Sequence, residues 1–414
     1  MSKLQPVRGT HDILPDESRR ARHVIETARE MSVRYGFGEI STPIFEFTDI
    51  FKRTLGDTSD VVTKEMYTFE DRGGEELTLR PEYTAGIARA FISGGLRQHA
   101  PCKFFGSGPM FRYERPQKGR LRQFHQIDAE IIGVAGPQAD IEVIALGADI
   151  LRELGVLELT TLELNTLGDV ESRAAYRVAL VNYFGAHTDK LSEDSKLRLE
   201  KNPMRILDSK DEGDRVLVED APRMSEYMNS ESRDFFATVC AGLDNLGVSY
   251  SLNEKLVRGL DYYTHTAFEF TTTELGSQGA VIAGGRYDGL IETMGGPSTP
   301  GIGWAGGIER LSMLTTSEIE APKPVSVIPI GAASMDVAMK IAHDLRQGGY
   351  NVDMGFAGNP GKRMKRANAL NARAAVMLGE DEIAKGVATI RDLDSGEQQE
   401  VAIDTLVSAL EAWR

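Results

Sequence analysis

Apolar positions along the chain change period several times, and each change marks the border of an element. Over residues 16–35, Ala21, Val24, Ile25, Ala28 and Met31 recur at helical spacing, which predicts an amphipathic helix capped by Asp16 and ended by Gly36. Residues 39–47 alternate like a strand but contain Pro43, which lacks the amide proton that an interior strand donates, so this strand belongs at an edge or an interface. Residues 76–80 read as a short strand. Pro81 turns Arg80 away from helix, and residues 85–91 then form a helical run, leaving Glu82 and Thr84 at the turn between them. Two apolar runs, 102–113 and 124–133, flank a polar stretch with Pro116 and Gly119 and predict a hairpin with a long loop. A helix over 139–154, ended by Gly155, and a strand over 157–165 follow.

From 169 to 247 the pattern is helical and charged, clearest at 171–183 and 231–246, and reads as an insertion rather than as part of a sheet. β character returns over 255–270, where ideal alternation puts Arg258 and Tyr262 on one face with Tyr263 pointing away, unless Gly259 makes a bulge. Glycine-rich residues 283–290 either let backbone approach a ligand or supply a turn. Residues 301–306 match GxGxxG in form, but they follow Pro297 and Pro300 instead of a strand opening a βαβ unit, which excludes a dinucleotide fingerprint. A helix at 307–314 comes next, then a polar linker at 315–324. Beyond it, strands at 325–330, 350–354, 374–378, 387–393 and 398–403 alternate with helices at 335–347 and 361–371, as a separate α/β domain does.

The hairpin carries the densest chemistry. Alternation puts Arg112 and Glu114 on one face, and on the return strand Phe124, Gln126, Asp128 and Glu130 on a face opposite His125, Ile127, Ala129 and Ile131. A polar sheet face ordinarily meets water. Here, however, the joining loop holds Arg115, Lys118, Arg120 and Arg122 in a chain of net charge -15, and such a local reversal of sign suits a polyanionic partner. Lys362, Arg363, Lys365, Arg366 and Arg373 form a second basic cluster. Glu82 either touches a ligand or favours the following helix through its charge, and Arg310 either reaches a phosphate or makes a surface ion pair.

At 414 residues and 41% hydrophobic content the chain can bury two or three cores. Its acidity argues against indiscriminate coating of nucleic acid. Cys102 and Cys240 lack the spacing of a disulfide framework or a zinc site, which fits a reducing cytoplasm, and neither a leader nor a membrane-spanning apolar run is visible.

On these stretches the chain resembles the bacterial histidyl-tRNA synthetases, over essentially its whole length. The first helix with the Pro43 strand resembles motif 1 of class II aminoacyl-tRNA synthetases, Phe111 to Glu130 motif 2, and Gly301 to Leu311 motif 3. Leu256 to Tyr263 and Ala283 to Leu290 resemble the two stretches peculiar to the histidine-specific branch. The resemblance implies an α+β fold: an antiparallel catalytic sheet of about six or seven strands with flanking helices. A helical insertion and a C-terminal α/β anticodon-binding domain complete it. Catalytic residues would be 1–168 and 251–318, the insertion 169–250 and the anticodon-binding domain 319–414.

The same resemblance implies roles. Arg112 would contact the α-phosphate of ATP, Arg310 the γ-phosphate and Glu114 the adenine, while Arg258 would sit between the attacking carboxylate and the phosphate. Histidine would be held by Glu82, Thr84, Gln126, Glu130, Tyr262 and Tyr263, with Glu130 accepting from a ring nitrogen and Glu82 from the amino group. Arg115, Gln117, Lys118, Arg120 and Arg122 would approach the acceptor end of tRNA(His), and Lys362, Arg363, Lys365 and Arg366 would belong to the domain that reads its anticodon. A homodimer and magnesium with the ATP are implied, without named protein ligands for the metal. Tyr83 departs from the family, where a small or aliphatic residue is usual, and His125 and His265 receive no role. The alternative is a non-catalytic, histidine-binding regulatory subunit of ATP phosphoribosyltransferase. Such paralogues lose phosphate-binding positions and the last domain, whereas Arg112, Arg258, Arg310 and residues 319–414 are all present here.

Overall fold

The computed structural model describes residues 4–55, 61–117, 119–258, 262–276, 279–317 and 319–413. They form two compact units, Met1–Ile319 and Glu320–Arg414. Lys118 and Gly259 lie outside the described residues.

The first unit is built on an eight-stranded sheet. Its spatial order is Gly38–Glu39, Cys102–Phe111, Gln123–Ile132, Gly301–Gly307, Ala280–Arg286, Thr264–Thr271, Thr161–Thr166 and Ser251–Leu252. The six longer strands are antiparallel throughout, and a two-residue strand runs parallel at each edge. One face is covered by helices Pro15–Arg34, Gln138–Glu153 and Ser230–Leu246. Val24, Ala28, Ile144, Leu151, Val239 and Leu243 of these helices close on Ile127, Ala129, Ile282 and Trp304 of the sheet. Removing that much apolar surface from water, at about 25 cal/mol per Å², is the main force holding the layers together. The opposite face is open near its centre, and the site lies there.

Local chemistry accounts for the places where elements shift from the expected pattern. The first helix begins at Pro15, whose fixed φ suits the first helical position, so Asp16 adds first-turn charge and is not the cap. The alternating stretch around Pro43 is split, with Gly38–Glu39 at one edge of the large sheet. Phe45–Phe47 instead edges a separate three-stranded sheet beside Glu76–Leu79 and Tyr67–Glu70. The strand expected over 255–270 begins only at Thr264. Alternation therefore does not govern Arg258, Tyr262 and Tyr263.

Helices Val170–Gly185, Glu193–Lys201 and Glu212–Glu219 start at Asp169, Ser192 and Asp211, whose side chains accept backbone N–H bonds at the open helix ends. Their core includes Tyr176, Phe184 and Met204, together with Tyr263 and Ala267 from the sheet side. The second unit has a five-stranded sheet in the order Val352–Met354, Val325–Pro329, Ala374–Leu378, Val387–Asp392 and Gln398–Ala402. The first three strands are parallel and the last two antiparallel. Helices Met335–Gln347 and Pro360–Ala369 make the crossovers that parallel pairing requires. A short helix, Glu380–Lys385, was not anticipated. Among the described residues no helix is long and apolar enough to cross a membrane.

Candidate active site

The open face of the large sheet is floored by cross-strand rows, because paired residues project to the same side. Gln126 pairs with Gly108 and Gly307, Asp128 with Gly106 and Ala305, and Glu130 with Phe104 and Gly303. Long polar side chains thus rise between very small ones. Above them lies a cavity of about 270 Å³. It is lined by Glu82, Thr84, Gln126, Tyr262 and Tyr263 together with Arg112, Glu114, Arg258 and Arg310. All nine were singled out from the sequence.

Glu130, the tenth, lies beneath the lining. It is 1% exposed, and its carboxylate oxygens accept from the Thr84 hydroxyl at 2.5 Å and the Tyr287 hydroxyl at 2.6 Å. Gly303 is what makes room, since a Cβ there would stand 1.5 Å from Glu130 Oε2. Burial pushes the Glu130 carboxyl up to about 8, against the pull of those two hydrogen bonds and assisted by the Glu82 charge. Glu82 is also raised by burial, and its oxygens accept from the Tyr262 hydroxyl at 2.9 Å and the Ala85 amide at 3.1 Å. One Glu82 oxygen thus accepts in the first turn of the helix Thr84–Ser93, and the other accepts from Tyr262 on the cavity wall.

The arginines are held by fewer partners than their donors require. Arg112 Nε donates to the Pro81 carbonyl at 2.9 Å, and its guanidinium stacks 5.3 Å from the Phe124 ring. Arg258 pairs with Glu269 through Nη1, yet its buried Nε has no partner. Arg310, on the first turns of helix Ile308–Leu314, has a buried Nη2 with no partner. Burial first, and the neighbouring Arg120 charge second, push Arg310 down to about 10, so it stays cationic at neutral pH. Unpaired buried donors on cations in a half-enclosed cavity are a place prepared for an anion.

The basic loop divides. Arg115 and Gln117 are exposed. Arg120 turns inward to line the cavity and pairs with Glu114 at 2.8 Å, while Arg122 lies over the Tyr113 ring at 3.7 Å. In the second unit Lys362, Lys365 and Arg366 are exposed on helix Pro360–Ala369, with Arg366 bonded to Asp353 at 2.8 Å. Arg363 is half-buried and donates to the Pro329 carbonyl.

Several residues were missed or misjudged by pattern alone. Arg286 is fully buried and binds Asp140, Asp288 and the carbonyls of Val134 and Gly136, so the glycine-rich stretch begins as an interior strand with a structural anchor, its Ala283 and Tyr287 lining the cavity, and turns at 288–289. Tyr287 and Glu269 line the cavity, and so does Asp128, which is 1% exposed with neither carboxylate oxygen hydrogen-bonded. Tyr83 is fully buried, its ring fitted where a Cβ on Gly106 would lie 2.7 Å away. His125 faces away from the cavity and is held by Glu309 at 2.8 Å. His265 packs on Phe235 at 4.6 Å outside the cavity lining. Among the described residues no group of three His, Cys, Asp or Glu is placed to hold a metal ion.

Known proteins fit this arrangement. The family model for histidyl-tRNA synthetase matches residues 9–311, and that for an anticodon binding domain matches residues 324–413. The histidine–tRNA ligase of Rhodospirillum rubrum is 64% identical over 407 residues, covering 98% of each chain. That of Gluconacetobacter diazotrophicus is 57% identical over 410 residues, covering 99% of each. The apo histidyl-tRNA synthetase of S. aureus superposes with a TM-score of 0.83 at 34% identity, covering 98% of this chain and 99% of the other. With the motif residues gathered in one cavity and both matches running nearly end to end, the chain belongs to the histidyl-tRNA synthetase family.

Proposed function

We propose that the cavity seats histidine against Glu82, Thr84, Gln126, Tyr262 and Tyr263 and ATP against Arg112, Glu114 and Arg310, with Arg258 between the two. The activity is that of a histidine–tRNA ligase. L-Histidine and ATP give histidyl-adenylate and pyrophosphate, and the histidyl group then passes to the terminal ribose of tRNA(His). The observation that carries the residue assignment is the convergence of four guanidinium groups, those of Arg112, Arg120, Arg258 and Arg310, on one cavity, two of them with a buried N–H left open among the described residues.

Attack of a carboxylate on the α-phosphate brings two anions together, so the barrier falls where fixed positive groups meet the charge that develops. Arg112 and Arg258 supply it at the reacting phosphorus, and Arg310 at the far phosphate. Glu130 acts from below, through hydroxyls of Thr84 and Tyr287 that it orients, and a ring nitrogen of histidine reaches this acid. A pocket that leaves buried polar groups unpaired with any other side chain rejects it without editing. Magnesium arrives as part of the nucleotide substrate. The carboxylates Glu114, Glu269 and Glu309 on the cavity wall are each paired already, with Arg120, Arg258 and His125.

The exposed Arg115 and Gln117, with Lys118 and Arg122, are assigned to the acceptor end of the tRNA, and Lys362, Lys365 and Arg366 to its anticodon arm. Arg363 acts there through backbone positioning. A homodimer is supported by exposed Ile44, by exposed Phe45 and Phe47 on the edge strand that follows it, and by exposed Phe69 across the central strand from Phe47, apolar surface that pairing would cover. A cytoplasmic location follows from the need for tRNA and ATP and agrees with two free cysteines. The regulatory-subunit alternative lacks a use for the anticodon-binding domain and for open arginines. ATP–pyrophosphate exchange with each amino acid in turn tests the reading: exchange with histidine alone supports it, and histidine binding without exchange would favour the regulator.

A further inference from the structure

We propose that Asp128 receives the α-ammonium group of the bound histidine, as a third carboxylate of the amino-acid pocket; this rests on the reading of the cavity given above. Asp128 projects from the middle of the return strand, between Gln126 and Glu130, each about 6.6 Å along the strand. In its cross-strand row its neighbours are Gly106 on one side and Ala305, then Ala283, on the other. The side toward Gly106 is filled by the Tyr83 ring, whereas Ala305 and Ala283 line the cavity. The carboxylate therefore stands enclosed at the cavity wall, with the Tyr83 ring on one side and the cavity on the other.

Its two neighbours in charge differ from it in one respect. Glu82 and Glu130 each already accept two hydrogen bonds from the protein. Among the described residues none donates to either oxygen of Asp128, although it is buried. A buried carboxyl without partners is costly unless it is protonated or a cation meets it. Burial holds Asp128 well above the usual carboxylate range; the charges of Glu130 and Glu82 raise it further, and Arg80 and Arg112 oppose them. At the end of the same row Glu269 is already matched by Arg258. In the empty cavity a proton relieves this burial, and a cation brought by the ligand would displace that proton. Of the polar groups on histidine, only the α-ammonium carries a full positive charge at neutral pH, and the imidazole is mostly neutral there.

The test is Asp128→Asn, which keeps size and breaks no protein hydrogen bond. In pyrophosphate exchange its KM for histidine should rise about 10- to 100-fold, as loss of a charged hydrogen bond predicts, with KM for ATP within about twofold. Inhibition by histidinol, which keeps ring and amine, should weaken by a similar factor, and inhibition by imidazolepropionate, which lacks the amine, should not change. Unchanged histidinol inhibition, or equal loss with both analogues, overturns the proposal. If the variant does not fold, a crystal structure of the wild-type enzyme with histidinol decides: an Asp128 oxygen about 2.7–3.2 Å from the amine nitrogen supports it, and an amine bound elsewhere refutes it. Absence of exchange in the wild type would instead undo the reading on which the proposal stands.

Discussion

Arg286 and Arg310 lie in the same unit and are treated in opposite ways. Arg286 is fully buried, yet each of its nitrogens is used: Asp140 takes two of them, and Asp288 and two backbone carbonyls take the rest. It pins helix Gln138–Glu153 to the sheet. Arg310 is only partly buried but keeps an enclosed N–H with no acceptor. The same contrast divides the carboxylates, with Asp140 saturated by Arg286 and Asp128 bonded to nothing. A charge that holds the fold together is completed by the protein. A charge that serves a reaction is left incomplete, and the ligand completes it.

Breaking the saturated pair should have the largest effect. Asp140→Ala leaves the buried Arg286 with Asp288 as its remaining ionic partner and its Nε open, so stability should drop by about 3–5 kcal/mol in a denaturant titration. Little or no drop would mean that Arg286 is no more structural than Arg310. Arg310→Ala should do the reverse. It removes a group whose Nη2 had no partner, leaving the unfolding midpoint within about 1 kcal/mol of wild type. The exchange rate with histidine should nevertheless fall about 10²- to 10³-fold. An intact exchange rate would take Arg310 out of the chemistry.

Glu130 sharpens the contrast through pH. Its carboxyl binds the proton more tightly in the fold, at about 8 against an ordinary 4.5, so the folded state holds more protons than the unfolded one between those values. Stability of the ligand-free enzyme should therefore be full below about 4.5 with respect to this group and decline as pH rises toward about 8. Thermal melts of Glu130→Gln should lose that part of the slope; a slope identical to wild type would assign it to another carboxyl.

The smallest effect is expected at the exposed cluster of the second unit. Lys365→Ala with Arg366→Ala should lower tRNA charging several-fold, with the gap narrowing at higher salt because the lost phosphate contacts are the ones that salt weakens, and leave amino-acid-dependent exchange alone. Unaltered tRNA affinity would make that helix a solvated surface.

How much of this was legible beforehand varied with the kind of signal. The hairpin was read to within a residue or two, and the inner face carrying Gln126, Asp128 and Glu130 was read correctly, because period-two alternation holds wherever a strand is regular. It failed at Arg258, Tyr262 and Tyr263, where the described residues from 253 to 263 are not a strand and both tyrosines turn to the cavity, their rings 4.6 Å apart. Arg120 was grouped with its loop by charge, but its partner Glu114 draws it inward.

Sequence alone determined the order and type of most elements, since hydrophobic period, caps, proline and glycine act within a few residues of one another. It also determined the family, because the motif residues are recognisable as strings. Tertiary structure decided which charges are complete. Arg286 meets Asp140 across 146 positions of chain, and Tyr287 reaches Glu130 across 157. Asp128 is left without a partner because Gly106, Ala305 and Ala283 come to its sides from three other strands. Hydrogen bonding and burial depend on what distant segments bring within about 3 Å, and no local pattern records that distance.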